Sequence, residues 1–238
     1  MEQAVLYETR GNAALITLNR PERRNSINQA LLAGLYEGLE NAQKDDSIRA
    51  VVLTGNGKSF CAGIDLSVIG TDNLFDPRGD GVDLPEAFAA CKKPVIGAVN
   101  GHAITGGFEI ALQCDFLIAS EQASFADTHL KVGIHPGWGM TQLLRQAVGV
   151  RMAKQISLTA QFVPAAEALR IGLVNEVVSA DQLVPRALEI AGQIAALNQG
   201  LLPQVKALIE FQDTATFEGS LAQERREFRK FVDMFIKK

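Results

Sequence analysis

The chain has 238 residues, of which 47% are hydrophobic, 21% charged and only 6% aromatic. At about 100–200 residues per domain this is one large domain or two small ones, long enough to bury a sizeable core. High apolar content and a net charge of -4, from 23 basic and 27 acidic residues, exclude a mainly disordered chain and a nucleic-acid binder working by bulk electrostatics, while leaving room for a local basic pocket.

The first two thirds alternate between strand and helix patterns. Ala14-Leu15-Ile16-Thr17-Leu18 reads as a strand closed by the turn-rich Asn19-Arg20-Pro21-Glu22. From Asn28 to Lys44, Leu31, Leu32, Leu35, Leu39 and Ala42 fall at helical spacing, with Asn28 as the N-cap. Three short apolar runs follow: Ala50-Val51-Val52-Leu53, Val95-Ile96-Gly97-Ala98-Val99 and Phe116-Leu117-Ile118-Ala119. Such non-alternating, β-branched runs are what parallel strands buried on both faces look like, and helices between them imply an α/β fold with right-handed crossovers. Residues 70–82 lack periodicity and read as a mobile surface loop. Beyond Pro136 strands nearly vanish, and helices are expected over 138–148, 151–159, 164–170, 181–197, 201–213 and 217–235.

Cys61, Cys91 and Cys114 form no CxxC and no metal-ligand spacing, and their odd number suits no closed disulfide set. They read as reduced thiols of a cytosolic protein. No Lys/Arg-led apolar segment follows Met1, no run approaches the 18 or so residues of a membrane span, and Phe235-Ile236-Lys237-Lys238 is not a peroxisomal address. The expectation is a soluble, cytoplasmic protein.

Chemistry concentrates where buried strands end, because ligands of open α/β sheets sit beyond the carboxyl ends of the strands. After Val51-Val52-Leu53 comes a glycine-bearing stretch that includes Phe60-Cys61-Ala62-Gly63-Ile64-Asp65-Leu66. After Val95 to Val99 comes Asn100-Gly101-His102-Ala103-Ile104-Thr105-Gly106-Gly107-Phe108-Glu109. Gly106 and Gly107 let a ligand approach the main chain closely, and an apolar helix starts there. Its first amides lack intrahelical partners and lie at the positive end of the helix dipole, so a carbonyl oxygen gaining negative charge is stabilised at that spot. Glu109 lies in the first turn. It is either a carboxylate favoured by the dipole or a reacting group, and a capping box with Thr105 does not explain it, the two being four residues apart instead of three.

These segments resemble the enoyl-CoA hydratase/isomerase (crotonase) superfamily. Phe60 to Leu66 is similar to its FCAGxDL motif, and Asn100 to Asp115 to its NGxxxGGxxE…CD block. Asn19-Arg20-Pro21-Glu22-Arg23-Arg24-Asn25-Ser26-Ile27 resembles its NRPxxxNAL segment, and Ala165 to Asn175 its EAxxxGLVN stretch. Any one block is weak by itself; four in the right order span most of the chain. The resemblance implies a crotonase-like spiral of ββα units over 1–185 and a helical C-terminal trimerisation region over 186–238. It also implies an oxyanion hole for a thioester carbonyl from the backbone amides of Ile64 and Gly106, with Glu109 as one catalytic carboxylate. Arg23, Arg24, Ser26, Ala62 and Asp65 become candidates for binding coenzyme A, Arg23 and Arg24 being otherwise members of a solvated turn. No metal or further cofactor is implied, coenzyme A arriving as part of the substrate.

One departure matters. Hydratases of the family place a second glutamate about 20 residues beyond the first, and here His129 occupies that slot in Phe125-Ala126-Asp127-Thr128-His129. An imidazole, with an ordinary pKa of about 6.5, suits acid/base work near neutrality, so Glu109 and His129 form a candidate pair for adding water across a trans-2-enoyl-CoA. Asp127 is the alternative to His129. Isomerisation of an enoyl-CoA and C–C bond hydrolysis of a β-diketone stay open, and a non-catalytic acyl-CoA binder is disfavoured by Glu109. His102 matches no family slot, and His135 beside Pro136 reads as a turn residue. Zinc between His129 and His135 is disfavoured by their spacing of six. Trp138 either walls the acyl pocket or packs the helix start. The family's trimers or hexamers fit the apolar C-terminal helices, on which Phe228, Lys230 and Phe231 are candidates to complete a neighbour's coenzyme A site.

Overall fold

The structure, a computed structural model, describes residues 3–236. Met1, Glu2, Lys237 and Lys238, on which the readings of the two chain ends partly rest, lie outside the described residues.

The chain opens with an antiparallel hairpin, β1 (Val5–Arg10) and β2 (Ala13–Leu18), followed by α1 (Gln29–Lys44). Asn28 caps α1 as expected, its side chain accepting the Leu31 N–H at 2.9 Å. A unit then repeats, with one strand in a large sheet, one short strand in a second sheet, and a crossover. β3 (Ala50–Gly55) leads to β4 (Ser59–Cys61) and α2 (Leu84–Ala90). β5 (Val95–Val99) leads to β6 (His102–Ile104) and α3 (Gly106–Leu112). β7 (Phe116–Ser120) leads to β8 (Ser124–Ala126) and α4 (His129–Val132). Then come α5 (Met140–Thr159), interrupted at Gly149, β9 (Val163–Pro164), α6 (Ala165–Arg170), β10 (Glu176–Val178) and α7 (Leu183–Ala195). The break at Gly149, whose φ is 77°, is why the periodicity reads as two helices.

The large sheet has the order β1-β2-β3-β5-β7-β10 and is parallel beyond the hairpin. Its continuous apolar runs are explained by burial on both faces. Ala14, Ile16, Val51, Leu53, Val95 and Val99 point into one core with α1, α2, α3 and α5. Ala13, Leu15, Ala50, Val52, Ile96 and Ala98 point into a second, closed by Leu183, Ala187 and Ala191 of α7. That packing keeps α7 whole within the first of two compact units, Met1–Ala195; the second is Ala196–Lys238. The division therefore falls after α7, ten residues past the 185/186 boundary read from the sequence. In the second unit α8 (Leu202–Phe211) packs against α9 (Phe217–Ile236).

The smaller sheet has the order β4-β6-β8-β9. Its first three strands are parallel, with Cys61 opposite Ala103 and Ala103 opposite Phe125. The chain therefore leaves β4, β6 and β8 at one end, bringing together segments 62–65, 105–109 and 127–129. Residues 70–82 carry no strand or helix, as expected, but are fastened to α1: Gln29 donates to Asp72 and to the Pro77 carbonyl, and Arg78 pairs with Glu40.

Candidate active site

The first of the three segments is set by an isolated parallel bridge between Ile27 and Ile64. Ile27 donates to the Gly63 carbonyl at 2.8 Å, and Asp65 donates to the Ile27 carbonyl at 2.9 Å. In a parallel bridge of this kind the flanking groups of residues 63 and 65 bond the partner, so Ile64's own N–H faces the other way. Gly63, its neighbour, packs against the start of α3. A Cβ at Gly63 would stand 2.9 Å from the Ile104 oxygen and 3.6 Å from the Gly106 nitrogen. With φ at +90°, Gly63 is restricted to glycine on both counts.

The second segment is pressed against the first. A Cβ at Gly107 would lie 2.1 Å from the Cys61 carbonyl oxygen, so only glycine lets α3 begin there. Thr105, immediately before α3, adopts φ 51° and ψ -114°. For a β-branched residue this is a strained backbone, of the kind worth about 1–3 kcal/mol and found where structure elsewhere over-determines it. It is held by its N–H on the Ala126 carbonyl and by a hydroxyl bond of 2.5 Å to Thr128. The strained turn aims the Gly106 N–H outward from the helix start. Among the described residues neither the Ile64 nor the Gly106 N–H has a hydrogen-bond partner.

Glu109, one helical turn on, is 2% exposed. Its Oε1 accepts the N–H of Trp138 at 2.9 Å and of Met140 at 3.2 Å, which places it on the N-terminus of α5, where a carboxylate is favoured. The third segment supplies His129, 4% exposed, with Nε2 standing 3.6 Å from Glu109 Oε2. Its Nδ1 meets Asp127 Oδ1 at 2.7 Å, and its main-chain N–H donates to the same oxygen at 3.2 Å. Burial by itself would lower the His129 pKa, but the bond to Asp127 and the facing Glu109 carboxylate outweigh it and hold it at about 9. Burial likewise pushes the Asp127 carboxyl up, and hydrogen bonds from His129 and Ser157 outweigh this to hold it below its ordinary range. Both shifts favour a charged His129–Asp127 pair.

The structure thus gathers Ile64, Gly106, Glu109 and His129 at one end of the smaller sheet, Ile64 beside Gly106 and His129 facing Glu109. The candidates for coenzyme A lie on the turn bonded to the first segment. Ala62 donates to the Arg24 carbonyl, and the Arg23 and Arg24 side chains are exposed and unbonded among the described residues. Ser26 gives its carbonyl to Arg20, and Asp65 forms an ion pair of 3.1 Å with Arg20 while capping Ser67. Asp65 therefore locks this turn to the loop after β4. Trp138 packs its ring over the helix start, 3.3 Å from where a Cβ of Gly106 would be, with Phe75 beyond it.

Several participants escape sequence reasoning. Arg20 and Asn25 tie the turn together, Asn25 from full burial with bonds to the Asn56 and Ser59 carbonyls. Trp138 and Met140 contribute main chain, which no side-chain motif reveals; Gly139, with φ 105° at the start of α5, is the available signal. Thr105 and Thr128 gave none.

Comparison with known proteins agrees with this geometry. The family model described as enoyl-CoA hydratase/isomerase matches residues 8–237. The chain is 40% identical to a probable peroxisomal enoyl-CoA hydratase of Arabidopsis thaliana over 84% of this chain and 75% of that protein. It is 38% identical to a short-chain-enoyl-CoA hydratase of Clostridium acetobutylicum, over 94% and 92% of the two chains. The crystal structure of an enoyl-CoA hydratase from Mycobacterium tuberculosis H37Rv superimposes with a TM-score of 0.81 at 41% identity, covering 95% of this chain and 99% of that one. The chain belongs to the enoyl-CoA hydratase/isomerase family, and its fold is that family's spiral of strand pairs and helices.

Proposed function

We propose that the protein adds water across the double bond of a trans-2-enoyl-CoA thioester. The thioester oxygen takes the N–H groups of Ile64 and Gly106. A water bonded to Glu109 Oε2 and His129 Nε2 attacks the β-carbon while Glu109 accepts its proton. The electron pair moves through the double bond onto the thioester oxygen, where two main-chain donors hold the enolate. The α-carbon then takes the proton of His129 Nε2, and protonated Glu109 returns a proton to that nitrogen across the 3.6 Å gap. One H and one OH have been added, and both side chains regain their starting states.

The observation that carries this reading is the pairing of two main-chain N–H groups, unpartnered among the described residues, with the buried side chains of Glu109 and His129, 3.6 Å apart, at one strand end. Arg23 and Arg24, exposed beside the loop after β4, are our candidates to meet the phosphates of coenzyme A, with Ser26 and Ala62 near them; Asp65 contributes by holding the loop. The protein works as a homotrimer or a pair of trimers, a reading supported by the exposed apolar side chains Val205, Ile209, Phe217 and Phe228 of the second unit. Among the described residues no helix is long and apolar enough to cross a membrane; separately, the free thiols of Cys61, Cys91 and Cys114 suit a reducing compartment, and on that ground we place the enzyme in the cytoplasm.

The test is loss of the conjugated enoyl absorbance of crotonyl-CoA. Wild-type protein should consume it, and Glu109→Gln and His129→Ala should each lower kcat by about 10²–10⁴. Turnover of a 3-enoyl-CoA or a β-diketone without hydration of crotonyl-CoA would overturn the proposal. Light scattering should give a multiple of three chains.

A further inference from the structure

The acid/base pair leaves one buried ionised group unused. Asp127 is 3% exposed, and burying a carboxylate is costly unless it is paired and hydrogen-bonded. Its Oδ1 is engaged twice by His129, through the ring Nδ1 and the main-chain N–H. Nδ1 and Nε2 lie on opposite edges of an imidazole, so Asp127 stands behind the ring while Glu109 stands in front of it. From there Asp127 does not reach a water held at Glu109 without displacing the imidazole. Its hydrogen-bond partners are His129 and Ser157.

We propose that Asp127 is a positioning residue acting through His129: by accepting the Nδ1 proton it fixes the ring's orientation and leaves Nε2 presenting a proton on Glu109's side. The role deepens the hydratase reading and rests on it. A carboxylate that orients an imidazole and stabilises its charged form is a general device of acid/base catalysis. The local chain favours it here. Residue 128, between the two, turns its hydroxyl to Thr105, so 127 and 129 share the other side. Among the described residues the groups facing His129 are Glu109 from α3 and Asp127 just after β8, and from α5 Ser157 bonds Asp127. The remaining charge on α4, Lys131, turns to the Ala160 carbonyl at 3.0 Å. A neutral imidazole would leave the buried Asp127 carboxylate facing no positive charge, and an imidazolium supplies one. Asp127 is thus the group whose removal tips the ring toward neutrality.

The protein has three histidines, 102, 129 and 135, so nitrogen-15 NMR of histidine-labelled protein, assigned by comparison with His129→Gln, reads the ring directly. In the wild type both His129 nitrogens should be protonated at pH 7.5, and the titration should centre near 9. In Asp127→Asn the midpoint should fall by more than one pH unit, and Asp127→Glu should restore part of the shift. With crotonyl-CoA, Asp127→Asn should lower kcat at least tenfold with KM little changed, and move the alkaline limb of the pH profile down with the titration. In the His129→Gln background the same change should have no further effect on kcat. An unmoved titration in folded Asp127→Asn, or an equal loss of kcat with and without His129, would overturn the proposal. A neutral His129 ring in the wild type at pH 7.5 would do so without any variant. The titration needs no turnover, so protein that shows the shift but hydrates no enoyl-CoA upholds Asp127's role and removes the proposed reaction instead.

Discussion

In the six-stranded sheet the inner strands β2, β3, β5 and β7 bury apolar side chains on both faces, between one core shared with α1, α3 and α5 and another closed by α7. In the four-stranded sheet no strand exceeds three residues, and what lies at the strand ends is polar and buried, Glu109, Asp127, Thr128 and His129, with Thr105 strained as well. The large sheet is a source of stability whose few buried polar groups, Thr54 and Ser120, are satisfied by the Ala98 and Asn100 carbonyls. The small one is a jig: its parallel register fixes three chain ends side by side, and the stability of the large sheet offsets the cost of burying charge there. Substitutions in the two sheets should therefore fail in different ways.

The largest contrast is between Glu109→Gln and Leu53→Ala. The first should cut kcat by about 10²–10⁴ with little change in urea-unfolding stability, because a glutamine oxygen still accepts from Trp138 and Met140. The second should cost about 2–5 kcal/mol of stability and leave kcat per folded molecule unchanged. If Leu53→Ala lowered kcat as steeply, the division between the sheets would be broken. Gly107→Ala joins both effects, since the added methyl meets the Cys61 carbonyl. A loss at or above the usual overpacking cost of about 1–3 kcal/mol, together with lost activity, is expected. Thr128→Val leaves the buried Thr105 hydroxyl without its partner and should cost about 1–3 kcal/mol by the same unfolding measurement.

The last contrast is in the pH dependence of stability. His129 is held at about 9, above its ordinary 6.5, so its contribution is full below pH 6.5 and is lost as pH rises through about 9. Asp127 lies below its ordinary 3.8, so its contribution is present above that pH and is lost as pH falls through the lowered value. Compared with His129→Gln, the wild type should lose stability in chemical denaturation between about pH 6.5 and 9; parallel curves would count against the charged ring.

The same contrast governs what could be read beforehand. β2, β3, β5 and β7 announce themselves as apolar runs because burial on two faces leaves no alternation to obscure, and Asn28 and Gly149 mark helix boundaries by local chemistry. β4, β6 and β8 do not, because three residues cannot show a period. The stretches after Leu53 and Val99 thus read as loops, whereas each contains a second strand before its functional segment. Glu109 was legible from its place at a glycine-rich helix start, and His129 as a departure from a family pattern. The Arg20–Asp65 pair spans 45 residues, the Trp138 and Met140 donors are main chain, and Thr105's positive φ belongs to a residue type that avoids it. These follow from tertiary register, which no local pattern encodes.

The most direct test of the central claim is vibrational: the carbonyl stretch of carbon-13-labelled crotonyl-CoA thioester bound to Glu109→Gln, which should bind but not turn over. Convergence of the Ile64 and Gly106 N–H groups on that oxygen predicts a shift to lower frequency than the thioester shows free in water. An unshifted band in a saturated complex would contradict it.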